Sequence, residues 1–239
     1  MTGFDLYRAA PRLQRSNRWD RAFPLWPDEG GRRLLNIVAA FVGLVLTAPV
    51  MLVVAALVKL TSAGPVLYRQ PRVGLDRRDR AMGSGDHRRL ADQGGRPFTI
   101  YKFRTMYANN GNGSPQVWAT RNDPRITPLG RVLRQYRLDE LPQLFNVLRG
   151  EMNVVGPRPE QPVIFARLRE QIPHYQERQR VRPGITGWAQ VNQRYDTSIA
   201  DVQRKVALDL EYVARESVLE DVRILARTVP VVLLRRGAW

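Results

Sequence analysis

Residues 37–58, IVAAFVGLVLTAPVMLVVAALV, carry no charge and a single hydroxyl, that of Thr47. As a helix rising ~1.5 Å per residue this stretch reaches roughly 33 Å, enough to cross a hydrocarbon core of ~30 Å. A soluble core seldom covers so long an apolar helix on all sides, so the segment ties the chain to a membrane. Pro49 lies near its middle, where it removes a backbone hydrogen bond and bends the helix. Arg32 and Arg33 precede the segment, and Lys59, Arg69 and Arg72 follow it. Positive residues favour the cytoplasmic side, so this pattern is best met if both ends face the cytoplasm. A re-entrant segment, turning at Thr47-Ala48-Pro49 with Thr47 serving backbone groups freed there, satisfies the rule. A straight crossing is the alternative.

The formal charge of +16 is almost all arginine, the lysines being Lys59, Lys102 and Lys205. Nucleic acid, an anionic membrane surface or a phosphorylated substrate would each answer such a charge. Cysteine is absent, which excludes disulfides and thiolate metal sites, and His87 and His174 are too far apart in sequence to suggest a zinc centre.

The chain divides into a polar arm over 1–31, a membrane helix over 32–62 and a catalytic domain over 63–239. The arm lacks the apolar core of a signal peptide; Trp19, Phe23, Leu25 and Trp26 suit a bilayer interface, and a flexible tail is the plainer reading. Residues 62–74 read as an irregular basic exit from the membrane. Residues 76–96 read as a charged, glycine-rich surface insertion; GSG at 83–85 lacks the Lys-Ser/Thr of a phosphate-binding loop. Residues 97–106 alternate like a strand, presenting Lys102 and Arg104 on one face. Residues 107–118 read as a loop. Helices are expected over 128–137, over 161–180 with an interruption near Pro173, over 199–215 and over 218–236; 182–192 reads as a turn and an extended piece. Two stripes, Val202/Val206/Leu210/Val213 and Leu219/Val222/Leu225/Val229, suit either core or a bilayer surface. The expected class is α+β and mostly helical, with a broken membrane helix, amphipathic interfacial helices and a small domain with short strands.

The chemistry concentrates in residues 134–159, RQYRLDELPQLFNVLRGEMNVVGPRP. Asp139 suits an N-cap, with Glu140 and Pro142 in the first turn, Leu141, Leu144, Phe145 and Leu148 at helical spacing, and Gly150 as the stop. Arg134 and Arg137 precede the acids, and Arg149 and Arg158 follow. Paired carboxylates beside free N–H groups and guanidiniums suit a phosphate ester with a divalent metal. The same residues also describe an ordinary capped amphipathic helix.

Four motifs follow the membrane segment in order: FTIYKFRTM, NDPRITPLGRVLR, LDELPQLFNVLRGEMNVVGPRP and RPGITGWAQVN. Together they resemble the bacterial sugar transferase family, the monotopic polyprenyl-phosphate sugar-1-phosphate transferases, from about Arg32 to the C-terminus. Lys205, Asp209, Tyr212 and Asp221 also match that pattern. The resemblance implies transfer of a sugar 1-phosphate from a UDP-sugar to undecaprenyl phosphate, with Mg²⁺ and release of UMP. It places the enzyme on the cytoplasmic face of the bacterial inner membrane, at the first membrane step of a surface glycan such as an exopolysaccharide. It further implies a covalent phosphosugar on Asp139, Glu140 as dyad partner and metal ligand, and phosphate contacts from Arg134, Arg158, Lys102 and Arg104. The family's broken helix often carries Ser before its Pro, where this chain has Ala48.

Direct attack by the lipid phosphate, with Asp139 and Glu140 both holding Mg²⁺, is the alternative mechanism. A membrane-tethered nucleic-acid protein is disfavoured, because an acidic pair amid the arginines repels a phosphate backbone. Membrane lipids are expected partners; a homodimer and the identity of the sugar stay open.

Overall fold

The computed structural model describes residues 29–76, 94–107, 123–193 and 198–233. The arm, most of the charged insertion and the 108–122 loop, with the expectations attached to them, lie outside the described residues.

The apolar stretch forms one helix, α1 (Glu29–Thr61), helical through Pro49. The hydroxyl of Thr47 donates to Gly43 O at 2.6 Å. The carbonyl left without its usual donor by Pro49 is that of Val45, so Thr47 serves a different group from the one expected. Among the described side chains of this helix only Arg32, Asn36, Ala40, Val54 and Val58 are buried, while Leu34, Phe41, Leu46, Leu52 and Leu60 are each more than 60% exposed. So much bare aliphatic surface on a helix this long is the mark of a membrane-contacting element.

Both ends of α1 are fastened to the same body. Near the start, Arg33 donates to Val147 O and Leu148 O at 2.7 Å each, and Asn36 Oδ1 accepts from Val154 N at 2.6 Å. At the far end Arg104 caps the helix, donating to Val58 O, Ser62 O, Ser62 Oγ and Pro65 O.

Residues 62–74 are not irregular throughout. β1 (Leu67–Val73) pairs antiparallel with β2 (Pro97–Phe103), with Tyr68 opposite Lys102. Pro71 is accommodated because each strand has a free edge. α2 (Pro128–Gln135) starts at Thr127, whose side chain accepts from Gly130 N, and Pro128 fills the first turn. A 3₁₀ turn (Leu138–Glu140) and α3 (Gln143–Leu148) follow.

A second, parallel pair joins β3 (Asn153–Val155) to β4 (Gly184–Thr186). Between these strands lie α4 (Pro162–Gln171) and a 3₁₀ stretch (Tyr175–Arg180) entered through a left-handed His174. The expected interruption near Pro173 is therefore present. After β4 the chain is helical in α5 (Trp188–Asn192), not extended. α6 (Ile199–Arg215) opens with a reciprocal Ser198–Asp201 capping box, and α7 (Val218–Leu233) closes the described chain.

α6 buries Val202, Val206 and Val213 of its stripe, which selects the core reading there, together with Asp209 and Tyr212. α7 departs from a core reading. Asp221 and Ile224 face inward, whereas Leu219, Val222 and Val229 are exposed.

Candidate active site

The dyad does not sit at the N-terminus of an α-helix. Arg137 adopts a left-handed conformation (φ 55°, ψ 21°), unusual for a residue with a side chain, and turns the chain into the 3₁₀ element containing Asp139 and Glu140. α3 begins only at Gln143, with Pro142 as its N-cap. The sequence pattern was ambiguous because a 3₁₀ turn and the first turn of an α-helix share their spacing over three residues. Both carboxylates are buried, so compensation for their charge must come from side chains rather than from a helix dipole.

The two acids are served unequally. Glu140 Oε1 accepts from Lys102 Nζ at 2.8 Å and from Arg158 Nη2 at 2.7 Å, with Arg137 Nη1 3.7 Å from Oε2. Burial opposes the charge of Glu140, but Arg158, Lys102 and Arg137 outweigh it and hold its carboxyl well below the usual range. No hydrogen bond or ion pair takes up the Asp139 carboxylate among the described residues. Burial pushes its pKa up and the charge of Glu140 adds to this, while Lys102, Arg134 and Arg158 pull the other way without cancelling the shift. Burial also pulls the Lys102 ammonium down, against the attraction of Glu140.

Each cation is held by its own piece of fold. Lys102 projects from β2. Arg134, on α2, donates from Nε to Thr105 Oγ1 at 2.9 Å. Gly130 permits that approach, since a Cβ there would lie 2.1 Å from Thr105 O. Arg158 rides on a segment whose backbone is fixed carbonyl by carbonyl. Pro157 O accepts from Gly184 N, Arg158 O from Arg178 Nη2, Pro159 O from Arg72 Nη1 and Glu160 O from Val73 N, all at 2.9–3.1 Å.

Of the predicted phosphate ligands, the structure brings Lys102 and Arg158 into contact with Glu140, and Arg134 close enough to act on the charge of Asp139. Arg104 is not drawn into that group, because its guanidinium is spent on the end of α1. Arg149 also lies apart, donating to Tyr101 OH and stacking over that ring.

Arg72, Thr105 and Arg178 matter here and were not singled out as site residues; Asp209, noted only as family-like, pairs with Arg178. They act through other residues, so only long-range contacts reveal them. Arg178 is wholly buried against Asp209 (2.7 Å) and Tyr175, and Lys205 pairs with Glu160 at 3.0 Å. Tyr212 and Asp221, the other family-like positions, bind Arg32 and so anchor α1.

The chain is 41% identical over 219 residues to the UDP-glucose:undecaprenyl-phosphate glucose-1-phosphate transferase of Escherichia coli K12, covering 89% of this chain and 43% of that protein. It is 40% identical over 207 residues to the UDP-N-acetylgalactosamine-undecaprenyl-phosphate N-acetylgalactosaminephosphotransferase of Aeromonas hydrophila, covering 87% and 44%. The exopolysaccharide production protein ExoY of Rhizobium meliloti is 36% identical over 226 residues, covering 87% and 88%. The chain thus spans less than half the length of the first two relatives and most of the third. A family profile described as bacterial sugar transferase matches residues 28–235, the helix that meets the membrane and the body that carries the dyad alike. This chain belongs to the bacterial sugar transferase family.

Proposed function

We propose that the protein transfers a sugar 1-phosphate from a UDP-sugar to undecaprenyl phosphate at the cytoplasmic face of the bacterial inner membrane. The observation that carries this reading is the inequality of the dyad. Glu140 is clamped by cations, whereas Asp139 beside it keeps its oxygens unengaged within reach of the same positive field. An Oδ of Asp139 attacks the phosphorus that bears the sugar; the bond to the bridging oxygen breaks, UMP leaves and an acyl phosphate remains. An oxygen of the lipid phosphate then attacks that phosphorus, the bond to Asp139 breaks and the carboxylate is restored. Arg134, Lys102 and Arg158 offset the anionic charge that would otherwise repel each attack. Glu140 holds Lys102 and Arg158 in place as well as serving as dyad partner.

Among the described residues no cluster of three or more acids or histidines forms a metal cage. Mg²⁺ is commonly held by one or two carboxylates together with substrate phosphates, and the unengaged Asp139 fits that role. Glu140 would have to release a cation to join it. When bound, the ion would neutralise phosphate charge at the dyad.

The membrane element follows from the substrate, whose tail stays in the bilayer while its phosphate sits at the interface. Attachment of both ends of α1 to one body supports a segment that enters and leaves on the same face. The bare Leu219/Val222/Val229 stripe supports α7 as an interfacial helix. Relatives of nearly equal identity are named for glucose and for N-acetylgalactosamine, so a panel of UDP-sugars must choose the donor.

The test is incubation with UDP-sugar labelled in the sugar, without acceptor. The protein should carry label and release UMP, and Asp139→Asn should lose both by at least about a thousandfold while still fractionating with membranes. Full turnover by that variant would remove Asp139 as nucleophile. Turnover by the native protein with no label trapped would favour direct attack by the lipid phosphate.

A further inference from the structure

Glu140 faces two spaces. On one side are the cations; on the other is a cavity of about 220 Å³, bounded by the Arg137–Leu141 turn, α3, β4, α5 and the last turns of α7. Arg137 and Glu140, themselves 3.7 Å apart, are its charged lining residues. Most of the wall is aliphatic, supplied by Leu138, Leu141, Leu144, Ile185, Val231 and Val232. Thr186 and Thr228 also line it, but their hydroxyls bond each other at 2.9 Å. Gln190 donates to Ile185 O and leaves its buried Oε1 as a lone acceptor. A wall like this offers little to a nucleotide base, whose edge needs several paired donors and acceptors.

Two of its walls are backed by the membrane helix. A Cβ at Gly43 would lie 3.2 Å from Leu144 Cδ1, and Leu138 packs in the cluster of Met51, Val54 and Val58. These two contacts bracket Pro49. The space therefore joins the Arg137–Glu140 pair to an aliphatic chamber whose Leu138 and Leu144 walls rest on the most apolar element in the molecule. A ligand matched to both ends has an anionic head and an unbranched or methyl-branched hydrocarbon chain.

We propose that this cavity seats the first isoprene units of the polyprenyl phosphate acceptor, with its phosphate on the cation side of Glu140 and its distal chain leaving along α1. The inference rests on the acceptor assigned under the proposed function. It deepens that reading by giving the acceptor its own pocket, walled by Val231 and Val232 of α7 and separate from the donor's approach. Selection for a prenyl head-end then comes from shape beside the dyad and not only from the bilayer.

The experiment has two arms. In the first, Val231→Trp and Val232→Trp fill the cavity, and Ala226→Trp, exposed on α7 and outside both the cavity lining and the bare stripe, is the control. UMP release is measured against undecaprenyl phosphate and against a prenyl phosphate of only a few units. The filling variants should raise KM for both acceptors by about tenfold, the scale of losing a methylene or more of apolar fit. KM for the UDP-sugar should not move, and the control should match the native protein.

An unchanged acceptor KM overturns the proposal. So does a rise confined to the long acceptor, which would put a distal segment or a bilayer acyl chain in the cavity. So does a rise in donor KM, which would put the nucleotide there. The second arm does not depend on folding of a variant. A photoreactive group on the first isoprene unit should cross-link the native protein at residues 137–144 or 228–232, and the same group at the far end of the chain should not. Cross-links elsewhere from the first unit overturn the proposal. If the native protein transfers sugar phosphate to no prenyl phosphate at all, the proposed function itself fails.

Discussion

Two buried aspartates, Asp139 and Asp209, stand among arginines and differ in one respect. Burial pushes both carboxyls upward, and cations partly offset the shift in each. Asp209 receives Arg178 Nε at 2.7 Å, and that guanidinium also donates to Tyr175 OH and Arg158 O, so the pair is closed to anything further. Asp139 has cations nearby and no bond to any of them. The closed pair acts as a cross-link between α6 and the segment that carries Arg158. The open carboxylate is a place where a substrate or a metal ion can complete the set. Residue type, burial and the direction of the pKa shift are the same at both sites; only the partner accounting separates a strut from a reactive group.

Breaking the closed pair should give the largest effect on stability. Asp209→Ala leaves Arg178 buried and unpaired, so unfolding of the detergent-solubilised protein should show a loss of about 3–5 kcal/mol. Replacing both partners by apolar residues should restore much of that stability, but not the activity that depends on the position of Arg158. A double variant as unstable as the single one would count against this account.

The comparison sharpens at the end of β2, where Lys102 lies in the strand and Arg104 just beyond it. Lys102→Met should lower kcat/KM by about a hundredfold with little change in stability. Arg104→Met should do the reverse, leaving the carbonyls at the end of α1 unserved and costing about 1–3 kcal/mol. Similar kinetic losses in both would return Arg104 to the phosphate site.

A third prediction concerns pH. The raised pKa of Asp139 means that the nucleophilic carboxylate is lost earlier, as pH falls, than an ordinary aspartate would be. Glu140→Gln removes the negative charge that helps raise it and frees Lys102 and Arg158 to act on Asp139. The acid limb of kcat/KM for the donor should therefore move to lower pH, on a reduced maximum. A limb that stays put or moves upward contradicts the coupling.

The smallest effect is on stability again, with opposite sign. Burial raises the Asp139 pKa, so its ionised form costs stability in the folded state, and Asp139→Asn should stabilise the protein by up to about 1 kcal/mol while abolishing turnover. Destabilisation would mean that Asp139 is as closed as Asp209.

The sequence alone determined the features set by local chemistry. Residues 37–58 pointed to a membrane because a soluble core seldom covers an uncharged helix of that length on all sides. Helix starts at 128 and 199 were legible, and the bounds 199–215 held because the apolar period of that segment agrees with the cap that Ser198 supplies in the fold. Asp139 and Glu140 were visible as an adjacent pair amid arginines, and Lys102, Arg134 and Arg158 as their cations. The tertiary structure decided which charged groups meet. It sent Arg104 to the end of α1 and Arg149 to Tyr101, placed the dyad in a 3₁₀ turn, and turned Leu219, Val222 and Val229 of α7 outward while Leu225 packs inward. It also joined Arg178 to Asp209 across 31 positions. Spacing along the chain reports which side chains share a face, whereas the partner of a buried charge depends on which elements pack together, and long-range contacts fix that choice.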